Sequence, residues 1–432
     1  MNNQESAIVP ILSLDGDSGL LVISPLGRGA KGVVFLIKEE TGGELLALKV
    51  ILKDVVEKKN KELCNGNEFK RVSFERQVLS HFDHPLLPKL RGVLATEKII
   101  GYAIDFCPGR DLNHLRKQQS ERMFSVDIIR FYAAELILAL EYLHKQGIAY
   151  RDLKPENILI QETGHIMLVD FDLSTRISSI SNPNSQNQTP VNHRRSSSKK
   201  RFSPFHRCCN SGISPEDLSE LGRTPVVSQE STEKSNSFVG TEEYVAPEII
   251  QGYGHDFAVD WWSLGVVLYE MLYGTTPFKG TNRKATFFKI LTGTPDLVGE
   301  TTPLRDLIRN MLIKDPKERI KVDGIKAHEF FKGVDWEMIQ EMSRPPYIPP
   351  SYEFGGKDGI MKIDVETFVQ KIFSGEGENE KKKVDHGHKS NYENNNNNNK
   401  QDDKEEKKFG DEGVWVQGLN NHPQESDNFL VF

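Results

Sequence analysis

The sequence predicts a bilobal α+β protein, with a small antiparallel-sheet lobe ahead of a larger helical lobe. Three observations carry that prediction. Runs rich in β-branched and aliphatic residues crowd between Leu20 and Ile51, punctuated by glycine turns. A helical period takes over from Ser125. Two stretches, about 178 to 236 and from about 355 onward, hold few large apolar groups and are expected to be largely disordered, because they cannot bury enough area to offset their ordering entropy.

Taken in order, Leu20-Leu-Val-Ile23 and Val33-Val-Phe-Leu-Ile37 read as strands joined by a glycine-rich loop. Thr41-Gly-Gly43 is a turn, and Leu45-Leu-Ala-Leu-Lys-Val-Ile51 is a third strand. Lys58-Lys-Asn-Lys61 reads as a loop leading to a helix on which Phe74, Val78 and Phe82 recur at four-residue steps. Ser125 is the expected cap of a longer helix, with Asp127 in its first turn and Gly147 as its stop. Ile129, Ala133, Leu136, Leu140 and Leu143 line one face of it. A β lobe followed by a helical lobe leaves a cleft between them, where ligands tend to bind. Late in the chain, Met361 to Phe373 has the pattern of an amphipathic helix, and the run Asn394 to Asn399 marks a polar tail.

Composition narrows the class. The 432 residues are 37% hydrophobic and 27% charged, with a formal charge of −7, which disfavours a nucleic-acid partner. Four cysteines, Cys64, Cys107, Cys208 and Cys209, make no disulfide framework and no zinc spacing, so the compartment reads as reducing. The start MNNQESAIVP lacks a basic stretch followed by an apolar core, predicting no secretory leader. The longest apolar run, Leu264 to Tyr273, contains Glu270 and is too short to span a bilayer. The expectation is a cytoplasmic monomer, with the nucleus or cell periphery open as further locations.

The chemistry begins at Leu26-Gly-Arg-Gly-Ala-Lys-Gly-Val-Val34, whose glycines at 27, 29 and 32 let backbone approach phosphates. Alone, such a motif is compatible with a plain tight turn or a dinucleotide fingerprint. The fingerprint needs a helix directly after the third glycine, and Val33 to Ile37 reads as strand. Lys49 ends an apolar run and is either a solvated edge lysine or a cation aimed into the cleft. Glu75, on the Phe74/Val78 helix, could hold it against α- and β-phosphates. The strongest signal is Tyr150-Arg-Asp-Leu-Lys-Pro-Glu-Asn157 followed by Leu168-Val-Asp-Phe-Asp172. In that spacing Asp152 would accept or orient a substrate hydroxyl proton, and Lys154 would neutralise a γ-phosphoryl. Asn157 and Asp170 would hold Mg²⁺ with hard oxygen ligands.

On these residues the chain resembles a eukaryotic protein kinase over 20–331, with Ala246-Pro-Glu248, Asp260-Trp-Trp-Ser-Leu-Gly265 and Lys314-Asp-Pro-Lys-Glu-Arg319 as further matches. The resemblance implies the bilobal protein kinase fold, a 1–19 extension before it and a 332–432 tail after it. It implies a buried bridge between Glu248 and Arg319. For ATP it implies the loop residues Leu26, Gly27, Arg28, Gly29, Ala30, Lys31, Gly32, Val33 and Val34, together with Ala47, Lys49 and Glu75. Ile104 becomes the gatekeeper, and Asp105 to Cys107 the hinge beside adenine. Lys154 resembles serine/threonine rather than tyrosine kinases. Tyr150 in place of a histidine, and the tail Arg344-Pro-Pro-Tyr-Ile-Pro-Pro350, resemble the AGC group. Asp111, Glu156 and Glu270 align with acids that bind basic residues upstream of the phosphoacceptor, and Thr241 sits at the substrate site.

One departure is Asp170-Phe-Asp172, where the family has glycine third. Glycine permits the backbone flip of this segment and aspartate restricts it, so the change is expected only to disfavour a flipped state. With the long insertion before Ser237-Phe-Val-Gly-Thr241, it resembles the plant branch of AGC kinases, and among them the oxidative-signal-inducible kinases. By the same resemblance Ser237 takes an activating phosphate. The ending Asn428-Phe-Leu-Val-Phe432, through Phe429 and Phe432, resembles a hydrophobic motif that docks an upstream phosphoinositide-dependent protein kinase. The basic insertion His193-Arg-Arg-Ser-Ser-Ser-Lys-Lys-Arg-Phe-Ser-Pro-Phe-His-Arg207 suits an anionic lipid or a nuclear address, against the plainer reading of a solvated loop. Acylation of Cys208 or Cys209 is a further reading of the same segment. The sequence leaves two functions standing: an active serine/threonine kinase using Mg-ATP on basic-flanked substrates, and a pseudokinase scaffold, favoured by Asp172 alone.

Overall fold

The computed structural model describes residues 9–14, 20–39, 43–62, 68–177, 239–342, 345–350, 363–374 and 430–431. The insertion with Ser237, the basic patch, and Phe429 and Phe432 lie outside them.

The first lobe is built on β1 (Leu20–Arg28), β2 (Gly32–Glu39) and β3 (Leu45–Leu52), an antiparallel meander. Val34 pairs with Lys49 in its register, which fixes the lysine opposite the glycine hairpin. The lysine-rich segment expected as a loop is helical: α1 spans Lys53–Glu62. Lysine and glutamate are good helix formers, Asp54 sits in the first turn, and Lys59 and Lys61 sit in the last, matching the helix dipole. Val56 anchors it against Ile51 and Val72. Next, α2 covers Glu68–Leu79 and buries Val72, Glu75, Val78 and Leu79. Phe82 lies beyond its end, yet is buried beside Phe171, with ring centroids 4.8 Å apart. Strands β4 (Leu90–Ala95) and β5 (Ile99–Asp105) complete the lobe, β5 pairing with both β3 and β4. Residues of the N-terminal extension add to the β4 edge: Leu12 N–H donates to Val93 O at 2.7 Å, and Val93 N–H to Pro10 O at 2.9 Å.

In the second lobe, α3 (Leu112–Lys117) precedes the long α4 (Val126–Lys145). Ser125 caps α4 as expected, and the five predicted face residues are fully buried. Short strands follow: β6 (Ile148–Ala149), β7 (Ile158–Ile160), β8 (Ile166–Leu168) and β9 (Thr175–Arg176), pairing as β6–β9 and β7–β8. Then come α5 (Pro247–Gln251), α6 (Ala258–Tyr273), α7 (Arg283–Thr292), α8 (Pro303–Met311) and α9 (Val322–Lys326). The Glu248–Arg319 bridge is present, bidentate at 2.7 and 3.0 Å, with Arg319 fully buried. No helix among the described residues is long and apolar enough to cross a membrane.

The chain then returns to the first lobe. Helix α10 (Val365–Ser374), within the stretch read as amphipathic, packs Val365, Val369 and Ile372 against Val22, Phe35 and Leu48. Phe368 meets the Phe35 ring edge-on at 5.5 Å, and Thr96 hydrogen-bonds Glu366. Covering that apolar sheet face is what orders a segment whose neighbours are polar. Finally β10 (Leu430–Val431) lies parallel to β1 at Gly27 and Arg28, giving the order β10-β1-β2-β3-β5-β4.

Candidate active site

A cleft of about 470 Å³ lies between the lobes. Its walls include Leu26, Val34, Ala47, Ile104, Asp105 and Cys107, and its far end carries Lys49, Glu75, Asp170 and Asp172. Gly29, Ala30, Lys31 and Gly32 roof it. Three of the predicted loop residues sit elsewhere. Val33 is fully buried on the opposite sheet face, as strand alternation requires of the neighbour of Val34. Gly27 and Arg28 pair with β10, and the Arg28 guanidinium lies 5.0 Å from the centroid of the Phe373 ring. Cys107 is a buried thiol, pushed far up by burial, 3.6 Å from Met167 Sδ.

Lys49 Nζ lies 3.0 Å from both Glu75 Oε1 and Asp170 Oδ1. Burial pushes the Lys49 ammonium down, but Asp170 and Glu75 together outweigh it and hold it well above its ordinary value. Burial raises Glu75 despite the opposing Lys49 charge, whereas in Asp170 the lysine overcomes burial and the carboxyl is lowered. Asp170 adopts a left-handed backbone, φ 60°, that turns its carboxylate to the lysine. Asp172 needs no positive φ. It therefore does not take up the freedom glycine would supply, and it has a partner that sequence reasoning missed: Lys31 Nζ, 2.7 Å from both of its oxygens.

The loop from β6 to β7 is held from beneath. Buried Asp260 accepts from Tyr150 N–H at 2.9 Å and Arg151 N–H at 2.7 Å, and His144 Nε2 lies 2.8 Å away. Tyr150, in the histidine position, is fully buried, donates to Val169 O at 2.5 Å and packs edge-on against Phe171 at 5.3 Å. Four predicted residues converge above. Thr241 Oγ1 donates to Asp152 Oδ1 at 2.7 Å, Lys154 Nζ to Asp152 Oδ2 at 3.0 Å, and Asn157 Nδ2 to Asp152 O at 2.9 Å. Lys154 Nζ also reaches Thr241 Oγ1 at 3.3 Å. Asn157 Oδ1 is buried with no hydrogen-bond partner. An orphaned amide oxygen and the Asp170 carboxylate form the hard donor set a divalent cation takes, so these residues fit one.

Arg151 is buried at φ 71°, with Nε donating to Leu173 O at 2.7 Å and Nη1 3.1 Å from His255 Nε2. Burial above all, with a smaller push from the Arg71 charge, lowers Arg151 to about 10. Burial and then Arg151 lower His255 to about 4, so its imidazole is neutral and accepts. The three acids differ in occupation. Asp111 caps α3, accepting from His114 N–H at 2.8 Å. Glu156 accepts from Asn113 Nδ2 at 2.9 Å and is raised by burial, with Glu270 and Asp111 adding to it. Glu270 is held by Arg116 at 2.8 Å and by Tyr244 Oη at 2.5 Å. Arg116 and Tyr244 carry no signal of their own in the sequence.

A model of the protein kinase domain matches residues 20–192 and 221–331. The chain is 58% identical to the serine/threonine-protein kinase OXI1 of Arabidopsis thaliana, over 96% of each chain. It is 40% identical to the serine/threonine-protein kinase UCN of the same plant, over 80% of this chain and 87% of that one. Phototropin-2 of Oryza sativa subsp. japonica is 41% identical over 78% of this chain, which spans 34% of that larger protein. With the cleft and its paired motifs, these matches mean that the chain belongs to the protein kinase family, in the plant AGC group, and is a serine/threonine-protein kinase.

Proposed function

We propose that Asp152, Lys154, Asn157, Asp170 and Lys49 carry transfer of the γ-phosphoryl of Mg-ATP to Ser or Thr of basic-flanked protein substrates. The observation that supports this most is the hydroxyl of Thr241 donating to Asp152 Oδ1 at 2.7 Å, the hydrogen bond a substrate hydroxyl would make. Asp152 orients that proton and Lys154 meets the growing phosphoryl charge. Lys49, positioned by Glu75, holds the α- and β-phosphates. Bound Mg²⁺ supplies charge neutralisation, and Asn157 and Asp170 are the residues that would hold it. Asp111, Glu156 and Glu270 give a carboxylate-rich wall for arginine or lysine of the substrate. Ile104 and the Asp105–Cys107 hinge border adenine. Transfer from radiolabelled ATP to an arginine-flanked serine peptide tests this reading; a chain that binds nucleotide but transfers nothing overturns it.

The kinase domain is assigned to 20–331, between an extension of 1–19 and a tail of 332–432. Phosphate on Ser237 is assigned to the Arg151 guanidinium, with Arg71 on α2 adding charge; equal activity before and after phosphatase treatment would contradict this. Phe429 and Phe432 are assigned to docking of an upstream phosphoinositide-dependent kinase, tested by the rate of Ser237 phosphorylation in the double alanine variant. The basic insertion is assigned to anionic lipid at the cell periphery of a cytoplasmic monomer. Equal sedimentation with neutral and anionic vesicles would remove that assignment.

A further inference from the structure

Lys31 ties three elements at the tip of the glycine hairpin. Its Nζ lies 2.7 Å from both oxygens of Asp172 and 2.6 Å from Glu68 Oε2, the first residue of α2. Glu68 also holds Arg71 at 3.1 Å, and Lys59 on α1 donates to Ala30 O at 2.9 Å. The backbone beside Lys31 is tied to β3: Gly32 pairs with Ile51, and Leu52 N–H donates to Lys31 O at 3.3 Å, so the side chain of Lys31 is presented from a fixed strand end. The Lys31 and Asp172 side chains are only 14% and 22% exposed, so solvent screens the pair less than a surface bridge. Both line the end of the cleft that carries Lys49 and Asp170.

We infer that Asp172 is a positioning residue: through Lys31 it latches the glycine hairpin over the phosphate end of the cleft, and the latch sets how long nucleotide stays bound. The inference rests on the kinase reading for what occupies the cleft. It gives the aspartate that replaces glycine a purpose glycine could not serve, since a missing side chain cannot pair with Lys31.

The test uses the full chain and a fluorescent methylanthraniloyl-ADP with Mg²⁺, its release followed by stopped flow. Lys31→Met and Asp172→Asn should each speed release by about three- to tenfold, and the double variant should be no faster than the faster single, because the two share one interaction. The effect should shrink as salt rises. The conservative variants Lys31→Arg and Asp172→Glu, which keep a cation between the carboxylates of residue 172 and Glu68, should release within about twofold of the unmodified chain, so that the singles report lost charge rather than altered packing. In steady state the singles should raise KM for ATP while leaving KM for the peptide unchanged. Additive effects, unchanged release, or slower release in Asp172→Asn would overturn the latch; the last would mean that Lys31 serves the phosphates once freed. If the unmodified chain fails to bind the probe, the nucleotide reading fails with it; if it binds and the variants release alike, the latch alone fails.

Discussion

The carboxylate of Glu75 accepts a hydrogen bond from the backbone N–H of Phe171 at 3.1 Å, so α2 is joined directly to the Asp-Phe-Asp segment as well as to Lys49. One side chain thereby fixes Lys49 and the Asp-Phe-Asp segment together. Glu75→Gln keeps an oxygen that can accept from Phe171 but loses the charge facing Lys49. Turnover should fall by about tenfold in Glu75→Gln and by about 10²–10³ in Glu75→Ala, where both links are lost. Initial rates of peptide phosphorylation check the order; equal losses would show that the hydrogen bond to Phe171 contributes nothing.

Much of this geometry was legible in sequence because the chemistry is packed into short motifs. Asp152, Lys154 and Asn157 lie within six residues and converge through one tight loop. What was not legible is tertiary. Lys31 and Asp172 are 141 positions apart, and nothing local pairs them. Helix α1 hid behind its lysines, with Val56 its one fully buried anchor among the described residues. The apolar face of α10 could be read from spacing, but not that it would cover Phe35 and Leu48. Val33 and Val34 were placed together in the cleft, and strand alternation separates them.

Arg319 satisfies Glu248 and three carbonyls, those of Ala258, Ile313 and Lys314. Arg319→Met would strand a buried carboxylate at a cost of about 3–5 kcal/mol. The melting temperature should fall by on the order of 10 °C. Calorimetry decides it, and a shift within about 2 °C would mean that water replaces the guanidinium without loss.

His165 bridges the second lobe and the tail, its Nδ1 2.5 Å from buried Glu135 Oε1 and its Nε2 3.1 Å from Met342 O. A carboxylate and a carbonyl facing the two ring nitrogens favour the imidazolium, which can donate to both. The Glu135 hydrogen bond above all raises its pKa above the ordinary value, against burial. A histidine raised on folding stabilises fully below its unfolded value near 6.5 and loses that contribution as pH climbs through the folded value. The gap in stability between the parent and His165→Gln should therefore close from mildly acidic to alkaline pH. Denaturant midpoints across that range check it; a gap that widens with pH would contradict the assignment.

Val369, on the inner face of α10, is fully buried. Val369→Asp would place a charge against Phe35 and Leu48, so α10 should detach rather than bury it. Amides of 365–374 should then exchange at least about tenfold faster, read by mass spectrometry. Unchanged protection would show that the helix does not depend on the sheet.

The central claim, that Asp152 orients the substrate hydroxyl and accepts its proton, is tested most directly by Asp152→Asn. The amide oxygen can keep the bond from Thr241, and the backbone carbonyl the one from Asn157, but the amide can neither take a proton nor accept from Lys154. The kcat for peptide phosphorylation should fall by about 10²–10³, with the nucleotide dissociation constant within about twofold of the parent. Near-parental kcat in Asp152→Asn would contradict the account.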